Sequence, residues 1–348
     1  MKRYLLLLIV FSTWAHAFEP ICNTPQSLKK KDLNGVILSK DALEQNQLII
    51  YSVNPPTPID WSTPKNLFDT IVKNSLLSES YEDDDFDHNF NPIKKRVLIK
   101  SHSVGHMFVQ LSCAGYPSIL TGMSSPSTEV VSGLMIKGKS FSHFTTAAKG
   151  YFNTSQELQE EIDIRRKKVG NLHYMGINLR PGSCEELLKY LSEFKACGLD
   201  QRYGGLDANP HKGEGSICSS FAISFLQRLN IIPMIDKIKP GEFGSEFLRT
   251  VEIPLSMLET EKQNPEIGAW NLLKGTAVSW AESGAGRKTV FFDPELFSKW
   301  VDGFSQNHKA KGLIYRGREG GELVKGVWFD EKSKDILPNS FSLDFLFN

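Results

Sequence analysis

Two hydrophobic periods alternate along this chain and divide it into strands and helices. QLIIYSV (47–53) is an unbroken apolar run of strand length followed by a Pro55-Pro56 turn, which predicts a buried strand. After Pro64, Leu67, Ile71 and Val72 recur at helical spacing, with the proline suited to the first helical position. From 96 to 138 the pattern is β, in RVLIKSHSV, HMFVQLSC, SILTGMS and EVVSGLMIKG, separated by Gly, Pro and Ser clusters. Thr154 with Glu157 has the spacing of a capping box, so a helix starts there; it also explains the glycosylation-type triplet Asn153-Thr154-Ser155. SCEELLKYLSEFKACG reads as one helix, opened by Ser183 with Glu186 and closed by Gly198. A Gly-rich loop (199–215) leads to a helix from Cys218 to about Leu229. RTVEIPL (249–255) and KTVFFD (288–293) are strand-like, and GLIYRG with LVKGVWFD predicts a closing hairpin. Residues 18–45 are polar and read as irregular, with Lys29 to Lys31 a solvated run. ESYEDDDFDH (79–88) reads as an acidic loop; it lacks the Gly and terminal Glu of a twelve-residue calcium loop. Sheet-rich segments with helices between them predict an α+β fold.

The first residues change the picture of where this fold resides. Lys2 and Arg3, an apolar run from Tyr4 to Phe11, and Ala15-His16-Ala17 have the layout of a secretory signal peptide with its cleavage site. The run is far shorter than the roughly 20 residues a membrane span needs. Cys22 lacks the small preceding residue of a lipidated cysteine. The expectation is an exported protein, periplasmic or secreted, with no transmembrane segment. Without residues 1–17 the chain carries 38 basic and 40 acidic residues. That balance, with no basic stripe, argues against nucleic acid as a partner. The remaining length divides into an N-terminal extension (18–95), a core (96–300) and a C-terminal hairpin and tail (301–348).

Five cysteines cannot all pair within one chain. Cys184 and Cys197 are 13 residues apart, which on one intact helix is roughly 20 Å. A disulfide needs Cα atoms within about 7 Å, so that pair is excluded. With Cys218 as the free thiol, 22–184 with 113–197 and 22–197 with 113–184 both remain open, as does a fully reduced chain.

Cys218 is the leading candidate nucleophile. It begins a helix after Gly213, Gly215 and Ser216, where the dipole and free N–H groups of the first turn favour a thiolate. The same N–H groups can serve as an oxyanion hole, and the glycines leave room for substrate. Glu214 in that loop could bind a substrate amine, although a plain surface charge explains it equally. A buried small apolar residue is the ordinary alternative for Cys218. His106 supplies a possible base: alternation places it with Phe108 and Gln110 on one strand face, opposite Met107, Val109 and Leu111. A purely structural histidine is the ordinary alternative there. His211, seven residues before the cysteine, is a local rival. His102 and His106 have metal-pair spacing only on a helix and lack the Glu of H-E-x-x-H, so neither metal nor cofactor is expected.

The order Gly105-His106-Met107-Phe108-Val109, then Cys218-Ser219-Ser220-Phe221 on a helix, resembles the circularly permuted branch of the papain-like superfamily. That branch includes NlpC-type cell-wall peptidases and lecithin–retinol acyltransferase-like enzymes. The likeness covers roughly residues 96–230. It implies a papain-like core, an antiparallel sheet against a cysteine-bearing helix, and a third polar residue on the next strand to orient the histidine. The best positional match is Thr121, with Ser118 and Gln110 as rivals; threonine stands where His, Asn or Glu is more usual. The implied activity is hydrolysis of an amide bond, in cell-wall peptide, by Cys218, His106 and Thr121. Alternatives are an acyl hydrolase or transferase acting on lipid or thioester, and a noncatalytic envelope-binding protein on the same scaffold.

Overall fold

The structure is a computed structural model that describes residues 35–42, 45–77, 79–86, 92–99, 102–126, 148–255, 279–306 and 324–330. In chain order the principal elements are β1 (Ile37–Ala42), β2 (Gln47–Val53), α1 (Pro64–Leu76), β3 (Glu79–Phe86), β4 (Pro92–Ile99), β5 (His106–Ser112) and β6 (Pro117–Thr121). Then follow α2 (Ser155–Ile164), β7 (Leu172–Asn178), α3 (Pro181–Ala196), α4 (Cys218–Arg228), β8 (Leu248–Pro254), β9 (Gly286–Phe292), α5 (Pro294–Gln306) and β10 (Val324–Asp330). The fold is α+β. Its centre is a six-stranded sheet in the order β1-β6-β5-β2-β7-β10, antiparallel except where β10 joins β7 in parallel.

Helices cover both faces of this sheet. Leu48, Ile50, Met107, Val109, Leu111, Met175 and Ile177 share one core with Leu187 and Phe194 of α3, Phe221 and Phe225 of α4, and Phe297 and Trp300 of α5. On the reverse face Val53, Phe108, Leu120 and Leu172 pack against Leu158 and Ile162 of α2. A smaller core joins α1 to the β8–β9 pair through Leu67, Phe68, Ile71, Val251, Ile253 and Phe291. A strand buried on both faces needs apolar residues at successive positions, which is what QLIIYSV and HMFVQLS supply.

Several sequence expectations are corrected here. Residues 79–86 are not a loop but a strand whose register sets Glu82 opposite Arg96, Asp83 opposite Lys95 and Asp84 opposite Lys94. Within the segment read as irregular, residues 37–42 form β1. Helix α3 starts at Pro181 with Arg180 as its cap, because proline at the first helical position begins it ahead of Ser183; that serine therefore lies inside the helix and the Ser183–Glu186 box does not form. β10 pairs in parallel with β7, so its described partner is not a hairpin strand. The stretches 1–17, 129–138 and 312–317 lie outside the described residues. β2 sits between β5 and β7, so one sheet draws strands from the segment before residue 96, the middle of the chain and the segment after 300.

Cys113, just past β5, is bonded to Cys184 in the first turn of α3, with Cα atoms 5.7 Å apart. Cys197 is also disulfide-bonded, and Cys218 is free. The 113–184 bond belongs to the second of the two open connectivities; Cys22 lies outside the described residues. No helix among the described residues is long and apolar enough to cross a membrane.

Candidate functional site

The loop before α4 is held by its own backbone. Ser216 N–H donates to the Arg202 carbonyl (3.3 Å) and the Ser216 carbonyl accepts from Gly204 N–H (3.1 Å), so the cysteine arrives from a short parallel contact with residues 202–204. Gly215 makes this possible: its φ is +91°, and a Cβ there would meet the Arg202 carbonyl at 2.6 Å. Ile217 N–H donates to Ser220 Oγ at 3.0 Å, which caps the helix start. Every residue of α4 is buried, and the Ser219 hydroxyl donates to the Phe292 carbonyl.

Cys218 is the first residue of this helix and is 5% exposed. The peptide N–H groups of Met107, Ser219 and Cys218 and the Tyr203 hydroxyl act on the thiol to lower its pKa. Burial nevertheless dominates and pushes the thiol up, so the resting group is a neutral thiol. This corrects the expectation of a thiolate: four donors and a helix start do not offset the loss of water around the sulfur. Tyr203 is a functional neighbour that the sequence pattern does not single out. Burial and the adjacent thiol push its hydroxyl well above the ordinary tyrosine range, so it is a standing donor. The signal it does carry is an aromatic residue directly before Gly204-Gly205 in the loop leading to the cysteine.

His106 lies one peptide from Met107 but turns the other way. Gly105 before it has a φ of +78°, and a Cβ there would meet the Val53 carbonyl at 3.0 Å, so the chain enters β5 through a bend only glycine fits. The His106 ring stacks on His102 at 4.6 Å between centroids, 13° from parallel, and touches Phe108 at 5.8 Å. His102 Nε2 lies 2.8 Å from a Glu161 carboxylate oxygen, which also accepts from Arg165 Nε at 2.8 Å. Arg165 is fully buried and bonds Glu79 with its Nη2 at 2.9 Å. Burial alone would raise the Glu161 carboxyl; His102 and Arg165 outweigh it and hold the group far below the carboxylate range. His102, His106, Glu157, Glu160, Glu161 and Arg165 line a cavity of about 260 Å3 on this side of the sheet.

The expected dyad is therefore not assembled in the resting protein. Met107 belongs to the core that contains α4, whereas the His106 ring shares the Phe108 face beneath α2. Alternation along β5 separates them. The sulfur and the imidazole are linked through the His106–Met107 peptide, not by a hydrogen bond between side chains. Thr121 stands opposite Val109 in the ladder, so it shares the face away from His106, and its hydroxyl donates to the Asn153 carbonyl (3.3 Å). It does not orient the histidine. Gln110 does share the His106 face but accepts from the Tyr51 hydroxyl at 3.0 Å, and Ser118 bonds Ser112 at 2.9 Å. Glu214 is exposed and its carboxylate accepts from Asn209 N–H at 2.9 Å, which makes it a loop brace. Ser216 is fully buried and its hydroxyl has no hydrogen-bond partner among the described residues. His211 stacks on Tyr190 and bonds the Ser224 carbonyl at 3.2 Å, a full turn and more into α4 from the thiol. No group of three or more His, Cys, Asp or Glu among the described residues could hold a metal ion.

This arrangement offers a soft nucleophile at a buried helix start, with a carboxylate–imidazole cluster on the reverse side of one strand. Comparison with models of protein families, with curated proteins and with solved structures finds no match for this chain.

Proposed function

We propose that the chain is an exported thiol hydrolase that cleaves an amide bond, with cell-wall peptide as substrate, on a permuted papain-like scaffold. The observation that carries this reading is Cys218 itself: a free thiol at the first position of a buried helix. The free N–H groups of a helix start are what an attacking sulfur and a developing oxyanion need. The Cys113–Cys184 bond supports an oxidising compartment, in which a thiol left unpaired is the exception.

In this mechanism the sulfur attacks the amide carbonyl, and the thiol proton passes through His106 to the leaving amine. Water then releases the acyl group from Cys218. His106 faces away from the thiol across β5, so this step requires the backbone at the Gly105 bend to turn the ring to the Cys218 face when substrate binds. Thr121 has no part, and Tyr203 takes its place among the working residues. Incubation of the purified protein with cell-wall fragments tests the reading. Cys218→Ala abolishes amine release, and His106→Ala slows it by about 10²–10⁴-fold; full activity in Cys218→Ala defeats the proposal.

A noncatalytic envelope-binding role is the second reading, favoured by the neutral, buried thiol. It predicts that wild-type protein retains the fragments intact while Cys218→Ala binds them equally well. Release of fatty acid from vesicles, with no amine product, would point instead to acyl-ester chemistry at the same cysteine.

A further inference from the structure

The cavity beside α2 holds groups that the thiol chemistry does not use. Glu161 accepts from Arg165 Nε at 2.8 Å, an ion pair that makes it a carboxylate with no proton to give. The contact of His102 Nε2 with the same carboxylate, at 2.8 Å, therefore places the imidazole proton on Nε2. In the neutral ring the other nitrogen, Nδ1, is then a bare acceptor. Among the described residues Nδ1 makes no hydrogen bond, and it is not one of the atoms sealed from solvent. The His102 side chain is only 9% exposed and lines the cavity, so the opening at Nδ1 is the cavity itself. The ring is held in place: its face lies on His106 at 4.6 Å, and Glu161 is tied through Arg165 to Glu79.

The rest of the lining decides what this acceptor would meet. Glu157 and Glu160 bring two more carboxylates, both exposed, whose hydrogen bonds go to the neutral groups of Thr154 and Gln156. Arg165, the cation of the lining, is spent on Glu161 and Glu79. Leu98, Leu158 and Ile164 add apolar walls, and Leu98 is left 63% exposed. Carboxylates repel an anion, and no group of three or more His, Cys, Asp or Glu among the described residues could hold a metal ion. A positively charged hydrogen-bond donor on an aliphatic chain suits every part of this lining. Its N–H groups donate to Nδ1 and to the carboxylates, and its methylenes cover the apolar walls.

We propose that this cavity is a binding site for a primary alkylammonium group, that of a free amine or of a lysine-type side chain in a peptide, with His102 Nδ1 and the Glu157 and Glu160 carboxylates as its acceptors. The inference does not rest on Cys218, whose helix packs on the opposite face of the sheet.

The experiment is isothermal titration of the full chain at pH 8, above the ordinary imidazole range of about 6.5. The probes are n-pentylamine, Nα-acetyl-lysine N-methylamide, and n-pentanol as the uncharged control. Both amines bind, and n-pentanol binds at least about 10-fold more weakly. The tighter of the two amines tells a free amine from a peptide side chain as the source. Glu157→Gln with Glu160→Gln weakens amine binding by about 3–10-fold. His102→Phe keeps a ring against His106, removes the acceptor and weakens binding by about 10-fold. Cys218→Ala binds both amines as the wild type does. Equal affinity for n-pentanol, absence of amine binding at millimolar concentration, or unchanged affinity in either cavity variant overturns the proposal. His102→Phe also takes a partner from Glu161, so where that variant unfolds the exposed Glu157 and Glu160 pair decides the matter.

Discussion

At the scale of single residues the thiol is set by competition between burial and donors. The Tyr203 hydroxyl lowers the thiol's pKa and can be removed cleanly by a side-chain change. Tyr203→Phe retains the ring and removes a hydroxyl whose donation to the thiolate is worth about 1 kcal/mol, so Cys218 alkylation at pH 8 slows by about fivefold. Stopped reaction with iodoacetamide followed by peptide mapping measures it. His211 shows the same burial acting on a base: burial first, then the Arg228 guanidinium, push it down to about 4. The unfolded ring takes a proton near 6.5, so between about 6.5 and 4 the unfolded chain binds more protons than the folded one. Stability from this residue is full above about pH 6.5 and is lost as pH falls toward 4. Urea midpoints across that range therefore decline in the wild type, and His211→Gln flattens the decline. Glu161 adds to acid sensitivity with the same sign, since a carboxyl held low stabilises only above the ordinary carboxylate range.

At the scale of elements, the loop that delivers Cys218 has one vulnerable point. Gly215→Ala places a side chain against the Arg202 carbonyl in a backbone conformation that disfavours it, and costs about 1–3 kcal/mol in urea unfolding, with slower substrate turnover if the loop shifts instead. Elements with a strong period are legible in the sequence alone: β2 and β5 by their apolar runs, α1 by Pro64, and α2 by a capping box that forms as read, with Thr154 Oγ1 accepting from Glu157 N–H at 3.3 Å. Elements that depend on a distant partner are not. NLHYMGIN carries a glycine at Gly176, where the Trp328 ring of β10 fills the space, so β7 makes sense as a strand only beside its neighbour. ESYEDDDF looks like a solvated loop until Lys94, Lys95 and Arg96 stand opposite it. The candidate site is half legible for the same reason. A helix-start cysteine shows in local sequence, but which way His106 turns depends on His102 and Glu161, which only the packing of α2 brings near.

At the scale of the molecule, one disulfide ties the end of β5 to the first turn of α3. Cys113 and Cys184 are 71 residues apart in sequence, and such a closed loop stabilises by about 2–4 kcal/mol through the unfolded chain. Reduction, or Cys113→Ala with Cys184→Ala, lowers the urea midpoint correspondingly while leaving β2, β5 and β7 paired; amide exchange in those strands reads the difference.

The position of β10 has a consequence in time. β7 gains its first partner from β2, made more than a hundred residues earlier, but its second edge stays bare until Val324–Asp330 has been synthesised. Val327 and Phe329 are buried there and belong to the same core as α4 and α5. A nascent chain halted anywhere before residue 324 thus presents an open strand edge and an incomplete core beneath α5. The order of synthesis therefore makes this sheet edge beneath α5 one of the last parts of the described fold to close.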